Sequence, residues 1–211
     1  MLRLISATPS PYARKVRIAL AEKHIPFELI TEVPWNSDTC LPQHNPLEKL
    51  PVLLLEDGGS VYESSHILEW LELKHPDPPL LPGDVDGLLE AKRCLVIGDG
   101  ICDALLLVFF ERMRPEAHRS APWTARQMRK VEGGFAEMAR TVGSKSFVVE
   151  DRLTLADIAF GAVMGYVSVR FAAFDWRGKW PNLPRYYDRL SERPSFRDTV
   201  PVPQRIADPV V

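Results

Sequence analysis

A cluster of prolines divides this sequence into two unlike parts. The segment His75–Asp84 holds four prolines within ten residues. Proline fixes φ and has no backbone N–H, so this segment cannot continue a helix and makes a stiff linker. Strand signals come before it and helical signals come after it. The sequence therefore predicts one domain over 1–75, a linker over 76–86, a second domain over 87–200 and a tail over 201–211.

The first part alternates strand and helix signals. Apolar residues at helical spacing predict an amphipathic helix over Pro11–Lys23. The Asp-Gly and Gly-Gly pairs of 56–59 predict a tight hairpin turn. The other predicted elements are strands at Leu2–Ile5, Phe27–Ile30, Val52–Leu55 and Val61–Tyr62 and a helix at Ser64–Lys74. This order, β-α-β followed by β-β-α, predicts a four-stranded mixed sheet with helices packed on it.

The second part carries helical patterns and few strand signals. The predicted helices are Leu88–Arg112, Pro122–Thr141, Thr154–Phe171 and Pro184–Ser191. The fold class expected is thus an α/β domain followed by an all-α domain. The tail, rich in proline and valine, is expected to be loosely held.

Composition excludes several kinds of function. The chain has 26 basic and 28 acidic residues and a net charge of -2, which argues against a nucleic-acid footprint or electrostatic membrane docking. Its three cysteines form no CxxC, which indicates reduced thiols and a cytoplasmic protein. We see no signal peptide and no apolar run long enough to span a bilayer. The five histidines form no ligand-like cluster, so no metal site is predicted.

Ser10 and Pro11 stand at the start of the first predicted helix. Serine followed by proline is a typical N-cap and N1 pair, and this structural role is expected in any case. The hydroxyl can also donate a hydrogen bond outward, and an anion placed there would feel the helix N-terminus. A thiolate is such an anion.

The magnitudes permit this second role for Ser10. Lowering a thiol pKa by two units requires roughly 2.7 kcal/mol. One hydrogen bond to a charged acceptor supplies about 1.5–3 kcal/mol, and the helix dipole about 0.3–1 kcal/mol more. Serine at a helix start is therefore sufficient to stabilise a thiolate.

Two further segments have both a structural and a functional interpretation. Pro51 precedes a buried strand, and it is either an ordinary edge proline or a cis proline that turns the Leu50 backbone outward to pair with an extended peptide. Ser64 or Ser65 is a predicted N-cap. Alternatively, Glu63 and Ser64 form a pocket for an amino-acid head group, with the carboxylate on the ammonium and the helix end on the α-carboxylate.

Taken together, these segments resemble the N-terminal domain of the glutathione S-transferase superfamily. The resemblance continues through later motifs and covers nearly the whole chain. The matching motifs are Ser10–Val16, Asn45–Val52, Glu63–Leu71, Thr154–Asp157 and Arg193–Phe196. It implies a thioredoxin-like domain followed by an all-helical domain, a homodimer, glutathione as co-substrate, a small electrophile as the second substrate and a role in detoxification.

The resemblance also implies roles for individual residues. Ser10 would stabilise the glutathione thiolate, Leu50 would pair with the cysteinyl backbone ahead of a cis Pro51, and Glu63 and Ser64 would hold the γ-glutamyl end. Lys49 matches a residue that often contacts the glycyl carboxylate. Thr154 and Asp157 look like a hydroxyl–carboxylate pair, but both the family and capping-box chemistry assign them to a helix cap.

Some alternatives stay open at this point. The Ser10 region has no cysteine, so the chain is similar to bacterial serine-type members, theta- or zeta-like, although the zeta serine-serine-cysteine signature is absent. Tyr12 could replace Ser10 as the thiolate donor. A binding or regulatory protein without catalysis, or a glutathione-dependent isomerase or dehalogenase, would share the scaffold.

The second substrate is expected between Ser10 and the long helix of the second domain. Each candidate lining residue has core packing or a solvated face as its ordinary explanation. The candidates are Phe109, Phe110, Arg112, Trp123, Tyr166 and Arg170. A loose group of basic residues could attract an acidic electrophile; it consists of Arg112, Arg114, His118 and Arg119.

Overall fold

The N-terminal part is a four-stranded mixed sheet with two helices, as the sequence predicts. The structure, a computed structural model, describes residues 1–208. Its first elements are β1 (Leu2–Ser6), α1 (Pro11–Glu22), β2 (Phe27–Thr31), β3 (Val52–Leu54), β4 (Ser60–Tyr62) and α2 (Ser64–Lys74). The strand order is β2-β1-β3-β4. β1 pairs with β2 in parallel and with β3 antiparallel, and β3 pairs antiparallel with β4.

The C-terminal part is entirely helical in the described residues. Its helices are α3 (Val85–Met113), α4 (Ala121–Val142), α5 (Leu155–Arg170), α6 (Trp176–Lys179), α7 (Asn182–Ser191) and α8 (Pro194–Arg197). The predicted fold class, a thioredoxin-like domain followed by an all-helical domain, is confirmed. The short helices α6 and α8 were not predicted, and α3 begins earlier than expected because Asp84 caps it by accepting a hydrogen bond from Gly87 N at 2.8 Å.

Helix α5 lies at the centre of the molecule. Nearly all of its residues are buried, which fits a helix that is apolar on every side. It packs against α1 from the first part and α3 from the second, so one hydrophobic core continues across both. The capping box predicted at its start is present, since Thr154 N and Oγ1 donate to Asp157 Oδ2 at 2.8 and 3.0 Å.

Arg14 joins α1 to the helical part from within the core. Its side chain is buried, and its guanidinium donates to the carbonyl oxygens of Gly161 and Phe196 at 3.3 and 3.2 Å. Burial lowers the pKa of this guanidinium. A Cβ on Gly165 would lie 1.8 Å from Arg14 Nη1, so glycine at this position of α5 leaves the space that the buried guanidinium occupies.

The tail differs from the expectation that it is loosely held. Thr8 Oγ1 donates to Val202 O at 3.0 Å, and Gln204 Nε2 donates to Glu32 O at 3.1 Å. Ala207 N donates to Asn36 Oδ1 at 3.0 Å. The tail through residue 208 therefore lies along the first domain, and the last predicted tail residues, 209–211, fall outside the described residues.

Candidate active site

A cavity of about 300 Å³ opens between the sheet domain and the helical part. It is lined by seven separate stretches of the chain. These are the β1–α1 connection, the loop after β2, the segment before β3, the β4–α2 corner, the second half of α3, the end of α5 and the tail, which together run from Ala7 to Ile206. Of the predicted site residues, Ser10, Lys49, Leu50, Glu63 and Ser64 all line it.

Ser10 is the N-cap of α1, as the Ser-Pro pair predicts. Its Oγ accepts a hydrogen bond from Ala13 N at 3.2 Å, and its side chain lies on the cavity wall. In the described residues the Ser10 hydroxyl donates to no protein acceptor. A serine hydroxyl can accept and donate at once, so its proton is available to a ligand in the cavity.

Tyr12 also lines the cavity, but its phenol is already engaged. The Tyr12 hydroxyl donates to Asp103 Oδ1 at 2.5 Å. Burial, together with the hydrogen bond to the Asp103 carboxylate and the charge of that group, raises the pKa of Tyr12 far above its usual range. The phenol therefore stays protonated and is oriented toward a carboxylate of α3.

The segment before β3 presents the Leu50 backbone. The Leu50–Pro51 peptide is cis, and no hydrogen bond from the described residues reaches Leu50 N–H or C=O. The buried Asn45 side chain shapes the turn, because its Nδ2 donates to Lys49 O at 2.7 Å and its Oδ1 accepts from Leu47 N at 2.9 Å. Pro51 itself is buried behind the cavity wall, and it does not line the cavity.

The β4–α2 corner corrects the predicted cap. The N-cap of α2 is Glu63, not Ser64 or Ser65; its φ is 70° and its Oε2 accepts from Ser65 N at 3.1 Å. Ser64 Oγ donates to Glu63 Oε1 at 3.0 Å. The corner thus presents a carboxylate and a helix start to the cavity together, which suits a group that carries both an ammonium and a carboxylate.

The other half of the cavity is aromatic. The Trp35 and Phe110 rings meet edge to face with centroids 4.3 Å apart, and Phe109 contacts Phe110 with centroids 5.2 Å apart. Tyr166 and Arg170, from the end of α5, complete this side. Phe109, Phe110, Tyr166 and Arg170 thus lie where the sequence predicts the second substrate.

Two other candidate linings lie outside the cavity. Arg112 stacks over the Phe171 ring at 4.9 Å from its centroid, and Trp123 faces outward with 42% of its surface exposed. The loose basic group also does not form an anion site at the cavity. Arg114 pairs with Glu111 at 3.8 Å, and Arg119 Nε donates to Arg114 O at 2.7 Å.

Sequence reasoning missed several lining residues. Asp103 has no sequence signal beyond interrupting an apolar stretch, and Gln204 and Ile206 carry no local signal, because only the fold brings the tail to the cavity. Trp35 had one usable signal, since a tryptophan in a polar, proline-containing loop has no core to enter.

The described residues contain neither a metal-binding cluster nor a membrane-spanning helix. Between residues 1 and 208, no group of three or more His, Cys, Asp or Glu side chains could hold a metal ion. None of the helices in that range is long and apolar enough to cross a membrane.

Two family models and a curated relative of this chain have one family in common. The profile for the glutathione S-transferase N-terminal domain matches residues 9–74, and that for the C-terminal domain matches residues 121–189. An uncharacterized GST-like protein of Escherichia coli K12, YibF, is 34% identical over 95% of this chain and 98% of its own length.

Solved structures agree with these sequence matches. A glutathione S-transferase of Methylobacterium radiotolerans, in complex with glutathione sulfonate, is 69% identical and covers 100% of this chain and 99% of its own, with a TM-score of 0.98. One from Methylobacillus flagellatus with glutathione bound is 37% identical over 96% of this chain and 100% of its own, with a TM-score of 0.92. Sequence, fold and cavity lead to one conclusion: the chain belongs to the glutathione S-transferase family.

Proposed function

We propose that this protein is a glutathione transferase that adds the glutathione thiolate to a small electrophile. One observation carries the proposal: Ser10, Leu50 and Glu63 lie around one cavity whose other half is aromatic. The first three offer a hydroxyl, a free backbone edge and a carboxylate at a helix start. An extended peptide with a zwitterionic end and a thiol fits that set, and the relatives with glutathione or its sulfonate bound support it.

Each part of glutathione has a proposed partner. The ammonium of the γ-glutamyl end would meet the Glu63 carboxylate, and its α-carboxylate would meet the Ser64 hydroxyl and backbone N–H. The cysteinyl backbone would pair with Leu50 N–H and C=O, in the manner of strand addition. Lys49, exposed at the cavity rim, would attract the glycyl carboxylate, while the buried Pro51 positions Leu50.

Ser10 would act on the thiol as a hydrogen-bond donor. Its oxygen is held by Ala13 N, and its proton would point at the sulfur, so the hydroxyl is oriented before glutathione binds. The N-terminus of α1 adds a favourable field for the anion. The thiolate then attacks an electrophilic carbon, a C–S bond forms, and a leaving group departs or a π-electron pair moves onto the substrate.

Ser10 is a better donor than Tyr12 in this arrangement. Turning the Tyr12 phenol toward sulfur would break its hydrogen bond to Asp103 and leave that carboxylate without this partner. We therefore propose Ser10 as the thiolate donor and Tyr12 as part of the cavity wall.

The matched variants Ser10→Ala and Tyr12→Phe test this assignment, since each removes one hydroxyl. We expect Ser10→Ala to lower kcat/KM with a reactive chloronitrobenzene by roughly 10–100-fold, because one charge-assisted hydrogen bond is lost. We expect the pH profile to shift upward as the bound thiol returns to an ordinary pKa, while glutathione affinity by calorimetry changes little.

Tyr12→Phe is expected to leave the pH profile in place. The reverse pattern, with turnover lost only in Tyr12→Phe, would remove Ser10 from its role. Glutathione binding without turnover of any electrophile would favour the binding or regulatory alternative, and a substrate panel separates conjugation from isomerase or dehalogenase activity.

Assembly and compartment are part of the same proposal. We propose a homodimer through the exposed apolar side chains of α2 and α3, among them Leu73, Val85, Leu89 and Val96. Sedimentation equilibrium would test it, and a monomer at micromolar concentration would contradict it.

We place the protein in the cytoplasm because all three cysteines are free thiols; a secreted pool in fractionated cells would contradict that.

A further inference from the structure

One arginine side chain lines the aromatic half of the cavity. Arg170 is the last residue of α5, and it is half-buried there. Its guanidinium carbon lies 4.8 Å from the centroid of the Phe109 ring. Its Nη2 donates to the backbone oxygen of Gln204 at 3.3 Å. The side chain is thus held between an aromatic wall and the tail.

Arg170 has no acidic partner among the described residues. No carboxylate of residues 1–208 lies within 4.0 Å of its guanidinium, whereas Arg93 and Arg193 each pair with glutamates at 2.6 Å. A guanidinium has several N–H donors, and this one uses a single long bond to a neutral oxygen. Its remaining donors suit a planar anion such as a carboxylate.

The other charged groups of the cavity are already engaged or lie elsewhere. Asp103 is the acidic residue of α3 on the lining, and it accepts the Tyr12 hydroxyl. Glu48, Lys49 and Glu63 belong to the two stretches that we assign to glutathione. Arg170 is therefore the cation that the described lining offers to the second substrate.

We propose that Arg170 binds an anionic group of the electrophile. This inference rests on the proposed function and gives it a substrate class: a flat apolar or aromatic body that carries a carboxylate. The body would lie against the rings of Trp35, Phe109 and Phe110, and the carboxylate would meet the guanidinium at the end of α5. Arg170 then sets specificity at a distance from the reacting carbon.

A chlorinated nitrobenzoate is a probe of this class. The thiolate forms a C–S bond at the ring carbon that bears chlorine, the C–Cl bond breaks, and chloride leaves with the bonding electron pair. The thiol proton goes to solvent, and no oxidant or reductant is required. The carboxylate takes no part in these bonds, so its contact with Arg170 changes binding and orientation alone.

The decisive experiment measures binding and does not depend on turnover. Calorimetry compares glutathione, S-(4-carboxybenzyl)glutathione and its neutral isostere S-(4-carbamoylbenzyl)glutathione. The proteins are the wild type, Arg170→Gln, Arg170→Lys and the control Arg112→Gln, whose arginine stacks outside the cavity.

We expect the wild type to prefer the carboxylate over the amide by about tenfold or more, as for a charge-assisted hydrogen bond. Arg170→Gln should remove the preference, Arg170→Lys should keep part of it, and Arg112→Gln should keep all of it. We expect the same pattern among the four proteins in the ratio of kcat/KM for 4-chloro-3-nitrobenzoate to kcat/KM for its amide.

The outcomes separate the two proposals. If glutathione binds but the wild type shows no preference for the carboxylate, the role of Arg170 is overturned and the transferase proposal stands. A preference for the carboxylate that survives in Arg170→Gln also overturns the role of Arg170. If glutathione itself does not bind, the proposed function fails and this inference falls with it. If Arg170→Gln does not fold, the preference of the wild type for the carboxylate and that of Arg170→Lys still decide whether Arg170 binds this group.

Discussion

Glu63 combines two roles in one residue. Its carboxylate caps α2 through Ser65 N, and it also faces the cavity where the γ-glutamyl end of glutathione is proposed to bind. The sequence offers the second role as one interpretation of Glu63 and Ser64, which the resemblance also implies, but it assigns the cap to a serine. A glutamate at N-cap with φ of 70° is uncommon, and two serines follow it, so local preference favours the wrong residue.

Two substitutions at Glu63 separate these roles. Glu63→Gln keeps an oxygen for Ser65 N but loses the charge, so we expect glutathione affinity to fall roughly tenfold or more with little change in Tm. Glu63→Ala loses both the oxygen and the charge. We therefore expect affinity to fall and, in addition, the free energy of unfolding to decrease by about 1 kcal/mol. Calorimetry and thermal unfolding measure the two effects. Unchanged affinity in Glu63→Gln would exclude a charge contact with the ammonium.

At the scale of elements, the start of α5 was the most predictable feature. Thr154 and Asp157 have the residue types and spacing of a capping box, and the box is present. The carboxylate does more than the motif implies, since Asp157 Oδ1 also accepts from Val148 N and from the Tyr186 hydroxyl, both at 2.8 Å. These long-range partners carry no sequence signal near Asp157.

The hydrogen bonds that Asp157 accepts lead to a prediction for stability. Asp157→Ala leaves several buried donors without an acceptor, so we expect a loss of about 3–5 kcal/mol in the free energy of unfolding. Thr154→Ala removes one hydroxyl and should cost about 1 kcal/mol. Urea denaturation measures both values. Equal effects of the two substitutions would show that the additional partners of Asp157 contribute nothing.

The short elements could not be predicted for a related reason. Helices α6 and α8 have four residues each, which is too short for a 3.6-residue period to show in the sequence. They form because tertiary packing holds them, as the burial of Trp176 and Phe196 indicates. The strands and long helices, by contrast, were predicted within a few residues of their bounds.

At the scale of the whole molecule, polar contacts tie the first domain to the last helix. Arg193 Nη2 donates to Glu22 Oε2 at 2.6 Å, and the Ser195 hydroxyl donates to Glu22 Oε1. Burial alone would raise the pKa of Glu22, but the hydrogen bonds from Arg193 and Ser195 outweigh it and lower that pKa below 4.5.

The lowered pKa of Glu22 makes the stability of the fold depend on pH. A carboxyl whose folded pKa is depressed stabilises the fold above its unfolded value, near 4.5, and loses that contribution as pH falls through the folded value. We expect Glu22→Gln to be less stable than the wild type at pH 7, and we expect the gap to shrink below pH 4.5. Urea unfolding over a pH series measures it. A gap independent of pH would assign the effect to packing instead of charge.

The order in which the chain is made has a consequence for the tail that crosses the cavity. Lining residues run from Ala7 to Ile206, so a nascent chain carries the first lining segments, including Ser10 and Glu63, long before it can complete the cavity around them. Domains fold from the N-terminus as they emerge during translation. Helix α5 packs against α1, so the first domain gains part of its core only after residues 155–170 have been made, and the wall that contains Gln204 and Ile206 closes only when synthesis has passed those residues. The cavity is therefore complete only at the end of synthesis.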